Sequence, residues 1–455
     1  MRRRARRVIR RRPLSGSSAR WSRKAHWRQF FVAPALIATL DAALAHNRDL
    51  RIALQRVESA RSQTRIQQAD LWPQITAGST LERSRTPADL SPSGKVMAAN
   101  TVQASVQARW ELDLWGRVHN LEASALARWL ASDEARRAVA LTVVAEVAHT
   151  WLLGRDLDER IALARRTTAS RRDSARIARR RYEVGAAPRL DMTQADTLLG
   201  QAESAVIALE QRRDETLHAL ALLVGRPVED TVVPLSALDA VVVRDLPPGV
   251  PSDLLEQRPD IRAAESRLRA AEADIGVARA AFFPRIALTG SMGTASAALD
   301  GLFSPGSGAW TLAESILTPV FDAGRLHGAL SDAKAQRAAA VADYERTVQG
   351  AFRDVADALA ARHWLGRQVE AQNRTLAALT ERARLSDLRY RNGAAPHLEV
   401  LEAQRDLFAI EQTLIETRRA RLSSEVTLFT ALGGGPDAPS APPTPVFETP
   451  TGTTP

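Results

Sequence analysis

The sequence predicts a mainly α-helical protein with β-hairpins of membrane-spanning length, organised as two tandem repeats. Three observations carry this. First, RYEVGAAPRL from Arg181 returns 208 positions later as RYRNGAAPHL from Arg389, with seven of ten residues identical. LWGRVH (114–119) and DAGRLH (322–327) keep that offset, as do LLVG (222–225) and TALG (430–433). Earlier in each half the offset is 211, relating NRDLR (47–51) to RPDIR (258–262) and DLWPQI (70–75) to AFFPRI (281–286). The second copy has therefore lost three residues between these blocks, a change that a surface loop tolerates. Second, Thr101 to Leu114 alternates polar and apolar residues without a lapse, which puts every apolar side chain on one face of a strand. Third, residues 116–185 and 324–393 each run for seventy positions without proline.

Composition agrees with long helices. Hydrophobic residues make up 45% of 455 and aromatics only 5%, which favours extended helices over a compact mixed domain. The net charge of +10 comes from the N-terminus, where residues 1–28 hold twelve Lys and Arg and no acid. The remainder has 50 bases against 52 acids, a net charge of −2. Cysteine is absent, which removes disulfides, thiolate metal sites and thiol nucleophiles. The most apolar helical stretch, Ala138 to Leu153, is interrupted by Glu146 and His149 and falls short of the roughly 20 residues a spanning helix needs.

The elements follow in order. A basic segment at 1–28 precedes the first repeat, 29–224, which opens with a helix from about Pro34 to Trp72. Pro73 stops that helix, and a hairpin over about 74–113 follows, its turn in PADLSPSG (87–94). A seventy-residue helix, about 105 Å long, then ends at Gly185–Pro188 and doubles back. A Pro-rich connector at 225–252 leads to the second repeat, 253–432. There a helix from about Pro251 to Phe283, a hairpin over about 285–321, a second long helix and a Gly393–Pro396 turn repeat the plan. His119 and His327, repeat partners, are placed in the turn after each second strand. Residues 433–455 form a Pro/Thr tail with the composition of disorder.

Two readings of the hairpins stand side by side. Either they cap a soluble core, or they enter a bilayer. Gln103, Gln107, Arg109, Glu111 and Asp113 suit a water-filled lumen, and Trp110 and Trp310 an interfacial girdle. Four strands cannot close a barrel alone, since the smallest membrane barrels have about eight and open edges do not survive in lipid. Membrane entry would therefore require several chains to share one barrel.

WRQFFVAPAL, LAHNRDLRIAL, ADLWPQI, WELDLWGRV, RYEVGAAPRLD, PSDLLEQRPDIRAAE, ARAAFFPRI, RYRNGAAPHLEVLEAQRDL and TLFTALGGG closely resemble the outer-membrane efflux channels related to TolC, specifically the NodT-type efflux lipoproteins. The resemblance covers about residues 27–435. It implies a homotrimer with one twelve-stranded barrel in the outer membrane and a helical barrel crossing the periplasm. It also implies a periplasmic adaptor and an inner-membrane transporter as partners, no cofactor, and a passage opened at the periplasmic tip. By the same resemblance, Val184, Gly185, Ala186 and Ala187, with Gly393, Ala394 and Ala395, meet the adaptor. The helix-end reading of these glycines as simple C-caps stands beside it. Leu398 and Glu402 correspond to rings at the aperture, with Tyr390 and Arg405 as tethering neighbours. Read without the family, Glu402 and Arg405 are an ordinary solvated i,i+3 pair. The first copy has Tyr182, Leu190, Gln194 and Thr197 at these places, so the charge is not duplicated.

Catalytic and metal classes find no support. The eight histidines are scattered, no pair has metal-ligand spacing, and the glycines at 433–435 lack a following Lys-Ser/Thr. The arginine-rich start could serve as a nucleic-acid arm, and a soluble long-helix adaptor is a further alternative. Family members begin with a signal peptide and a lipidated cysteine; residues 1–28 show neither, so the expectation is either that residues 1–26 are not native sequence or that the chain is a non-exported degenerate copy with a basic nucleic-acid-binding tail.

Overall fold

A computed structural model describes residues 27–227 and 257–434. The basic start, connector residues 228–252 and the tail beyond 434 lie outside the described residues. The chain runs through α1 (Trp27–Phe30), α2 (Pro34–His46), α3 (Arg48–Ala69), β1 (Gln74–Thr86), β2 (Met97–Leu112), α4 (Arg117–Glu183) and α5 (Arg189–Val224). The second half gives α6 (Pro259–Ala280), β3 (Arg285–Ser296), β4 (Gly308–Leu317), α7 (Arg325–Arg391) and α8 (His397–Ala431).

α4 and α7 are 67 residues each, about 100 Å at 1.5 Å per residue. Both start from a left-handed glycine, Gly116 at φ 73° and Gly324 at φ 87°. Asp113 Oδ2 accepts from the His119 N–H at 2.8 Å, and Asp322 accepts from the N–H groups of Gly324 and Leu326. Each carboxylate covers donors that a helix start leaves open. His119 and His327 thus sit in the first turn of these helices rather than in the preceding turn.

The helix expected from Pro34 to Trp72 is two helices. Asn47 breaks it at ψ 133°, and its Oδ1 accepts from the Leu50 N–H to cap α3. The same side chain donates through Nδ2 to the Leu223 carbonyl at 2.8 Å, closing the end of α5. In the second repeat Arg258 stands in that place and donates to the Ala431 carbonyl at 3.1 Å. Leu223 and Ala431 are repeat partners, so two different side chains perform one tie. Gly225 follows at φ 77°, where a Cβ would lie 2.4 Å from the His46 carbonyl oxygen.

The largest core lies near the midpoint of α4, where α1, α2, α5 and α8 converge. Val144, Val147 and Leu152 are buried there against Leu36, Leu40 and Phe429. Phe30 stacks on Phe429 at 4.5 Å. Charged residues share this level: Asp156 is 1% exposed, next to buried Arg155 in sequence and beside Arg160 at 3.6 Å and Arg419 at 3.8 Å. Burial pushes its carboxyl up to about 6, against the pull of both arginines. The folded chain therefore holds this proton more tightly than the unfolded one. Stability should fall as pH rises from about 4 to about 6, by at most about 3 kcal/mol at 1.36 kcal/mol per unit. Asp156→Asn is expected to flatten that slope and to raise the urea midpoint at pH above about 7. Parallel pH profiles for the two proteins, followed by circular dichroism, would contradict this.

The four strands form one antiparallel sheet in the order β1-β2-β3-β4. β1 matches the expected strand closely. β2 starts earlier than expected, at Met97, and ends at Leu112. β4 stops at Leu317 instead of continuing to Phe321, because Pro319 cannot donate to a ladder. The register aligns Ile75, Ala108, Gly290 and Leu312 on one face, and Ala77, Val106, Met292 and Trp310 above them. The opposite face carries Thr76, Gln107, Ser291 and Thr311. On β2 the apolar face runs ten residue steps from Val102 to Leu112. That is about 33 Å along the strand, or about 25 Å across a bilayer at the usual tilt. Among the described residues no helix lies across either face, and every residue of β4 is exposed. The described helices therefore form no core beneath these hairpins.

Candidate functional site

The two long hairpins end in matching turns. Gly185 (φ 74°) and Gly393 (φ 68°) are left-handed. Gly185 N–H donates to the Tyr182 carbonyl at 2.9 Å and Ala186 N–H to the Arg181 carbonyl at 2.7 Å. Gly393 and Ala394 repeat this with Tyr390 and Arg389, at 3.0 and 2.8 Å. This is the Schellman arrangement. It satisfies the helix ends with backbone alone and leaves the rest of the turn free. Val184, Gly185 and Ala186, like Gly393 and Ala394, are exposed; Ala187 and Ala395 are half-buried. A Cβ on either glycine would meet nothing within 4 Å, so backbone conformation, not crowding, selects glycine.

Behind the turns the two copies diverge. Arg389 closes its own hairpin, pairing with Glu399 at 2.9 Å and reaching the Ala394 carbonyl. Its twin Arg181 leaves its hairpin instead: Nη1 donates to the Tyr390 hydroxyl, and the guanidinium lies 5.3 Å from that ring's centre. Tyr390 also packs on His397, with ring centres 4.7 Å apart. Burial lowers the His397 pKa, with Asp191 opposing and Arg181 adding to the effect. One tyrosine thus stitches the ends of both repeats together. The sequence pointed to Tyr390 but missed Arg181, Glu399 and His397. The exact repeat of RY at 181–182 and 389–390 hides a partner exchange that spacing cannot reveal.

On α8, Leu398, Glu402 and Arg405 occupy one exposed face, while Val400, Leu401 and Ala403 are buried on the other. Shared-face placement follows from the i, i+4, i+7 spacing. The expected i,i+3 pair between Glu402 and Arg405 does not form. Arg405 turns to Asp406 at 3.0 Å, and Arg382 of α7 holds the same carboxylate at 2.8 Å. Asp406 adjoins Arg405 in sequence and lies within reach of Arg382, so it takes both arginines. Glu402 is left facing outward, without an ion pair among the described residues. In the first copy Leu190 is likewise exposed at 63%, but Gln194 and Thr197 bring no charge.

Among the described residues no group of three or more His, Cys, Asp or Glu could hold a metal ion, and no helix is long and apolar enough to cross a membrane. The model of the outer membrane efflux protein family matches the chain twice, over residues 39–226 and 250–434. The chain belongs to that family. Its sequence is 42% identical to the solvent efflux pump outer membrane protein SrpC of Pseudomonas putida over 408 residues, covering 90% of this chain and 87% of the relative. A membrane protein structure from Pseudomonas aeruginosa matches with a TM-score of 0.87 at 42% identity, over 94% of this chain and 97% of that one. The open state of the Neisseria gonorrhoeae MtrE outer membrane channel matches with a TM-score of 0.83 at 36% identity, over 93% and 94% of the two chains. The fold is that of the TolC-like channels, and this efflux protein is an outer-membrane component of an efflux system.

Proposed function

We propose that three copies of this chain pair β4 of one with β1 of the next, closing a twelve-stranded barrel from the four strands each supplies. One observation carries the reading. Among the described residues the sheet has an apolar face of bilayer height and two unpaired edges, and neither a single chain in water nor one in lipid can satisfy both. The helical hairpins, continuing from those strands, then stand side by side as a second tube in the periplasm. Small molecules leave through the joined lumen without any chemistry by the channel. An inner-membrane transporter supplies the energy, and a periplasmic adaptor meets the exposed turns at Val184–Ala187 and Gly393–Ala395.

Three symmetric copies of α8 would bring Leu398 and Glu402 together as an apolar ring beside a carboxylate ring. The outward, unpaired Glu402 supports that placement. Arg405, fastened to Asp406, acts on the ring only through the helix it helps to fix. Glu402→Ala with Arg405→Ala is expected to lower the closed fraction of single channels in a planar bilayer. A closed fraction equal to wild type would remove the aperture assignment. For the assembly itself, cross-linking of detergent-purified protein should give trimers; a monomer that stays soluble without detergent would end the proposal.

A further inference from the structure

The strand register puts positive charge on the apolar face of the sheet. On β2 that face runs from Leu112 to Val102, and Val102 pairs with Leu81 of β1. Further along the same face towards the hairpin turn, β1 carries Arg83 opposite Asn100 and Arg85 opposite Ala98. At about 3.3 Å per residue and the usual strand tilt, they stand about 5 and about 10 Å in height beyond the apolar band, the depth of lipid headgroups. Both are exposed, and among the described residues neither has an ion pair or a hydrogen bond. Alternation sends Glu82 to the polar face, and Asp89, the one acid of the turn at 87–96, pairs with neither arginine. Lys95, exposed two residues before β2 begins, brings a third positive charge to this end. The second hairpin is different. At the 211-residue offset Thr294 and Ser296 stand where the arginines are, and no Lys or Arg follows Arg285 before Leu317.

We infer that Arg83, Arg85 and Lys95 bind the phosphorylated headgroup of a lipid in the outer leaflet, one per protomer at the first hairpin and none at the second. The inference rests on the outer-membrane channel reading, in which the helices stand in the periplasm and the hairpin turns face outside. Two guanidinium groups two residues apart on one strand face start about 7 Å from each other and repel. A phosphate between them accepts charge-assisted hydrogen bonds from both. Asn100, directly across from Arg83, has an amide that donates to a further oxygen. A lipid suits the place better than a free ion because the same face continues into the apolar band. Its acyl chains lie against Leu81, Val102 and Val106 while its headgroup meets the arginines.

The test titrates the full-length protein in detergent, by native mass spectrometry, with two probes: an acylated glucosamine disaccharide carrying phosphates and the same molecule without them. Each arginine near an anionic headgroup contributes about fivefold. The phosphorylated probe should therefore bind about twenty-five-fold more tightly, and Arg83→Gln with Arg85→Gln should cut that preference to about threefold or less. Arg109→Gln, on the polar face of the same hairpin, should leave it intact. Should the double variant fail to assemble, Arg85→Gln alone is expected to lower the preference about fivefold. Equal binding of the two probes, or an undiminished preference in these variants, overturns the inference. Displacement of the phosphorylated probe by about 10 mM inorganic phosphate, too little to change screening much in about 150 mM NaCl, also overturns it, in favour of a free-anion site. Cross-linking and conductance of the same preparations separate the two levels of the argument. Trimers that conduct but show no phosphate preference defeat the lipid site alone; protein that neither assembles nor conducts defeats the channel reading beneath it.

Discussion

Val106→Arg is expected to abolish assembly, while Gln107→Arg, one residue along the same strand, is expected to be tolerated. The two side chains point to opposite faces of β2. Val106 is flanked by Ala77 and Met292, in a row that ends at Trp310, near the middle of the apolar band. Arginine at the midplane of the lipid-facing side costs about 2–4 kcal/mol. A trimer carries the substitution three times, so the barrel loses about 6–12 kcal/mol, comparable to the whole stability of an ordinary domain. Gln107 lies between Thr76 and Ser291 on the polar face, where a charge meets water. The measurement is the fraction of protein running as trimer after cross-linking in the membrane fraction, with conductance of whatever assembles. Equal trimer yields for the two variants would mean that this face does not meet lipid.

Arg181→Ala should produce the second large effect, a shift towards the open channel. The link to Tyr390 combines a hydrogen bond from a charged donor with a cation–π contact at 5.3 Å. Because Arg181 is exposed, each part contributes about 1 kcal/mol or less. In a gate whose three copies open together the loss is at most about 6 kcal/mol, which at its upper end moves a closed channel to a largely open one. Tyr390→Phe keeps the ring and removes the hydroxyl, so it should give a smaller increase in open probability. That graded order distinguishes release of a specific tie from general damage to the hairpin ends. Identical open probability in wild type, Arg181→Ala and Tyr390→Phe would show that the tie has no part in gating.

Much of this protein was legible from residue order. The 208-residue offset exposed the duplicated hairpin, and unbroken alternation at 101–114 marked β2 and its two faces. Absence of proline set the length of α4 and α7, and glycine set where they stop. The resemblance to a known family named tip and aperture residues that spacing alone did not. What failed did so for local reasons: Asn47 splits the first helix, Pro319 shortens β4, and Asp406 outcompetes Glu402 for Arg405.

By itself, then, the sequence determined the repeat, the element types and the pattern of polar and apolar faces. These depend on periodicity and on backbone preferences of single residues, which are local properties. Only the tertiary structure decided that, among the described residues, no helix covers the sheet and both its edges stay open, that Arg181 crosses to Tyr390, and that five arginines converge on one groove. Each of those depends on which distant segments share space. Repeat partners with the same letter, such as Arg181 and Arg389, part company there because the surrounding acceptors differ.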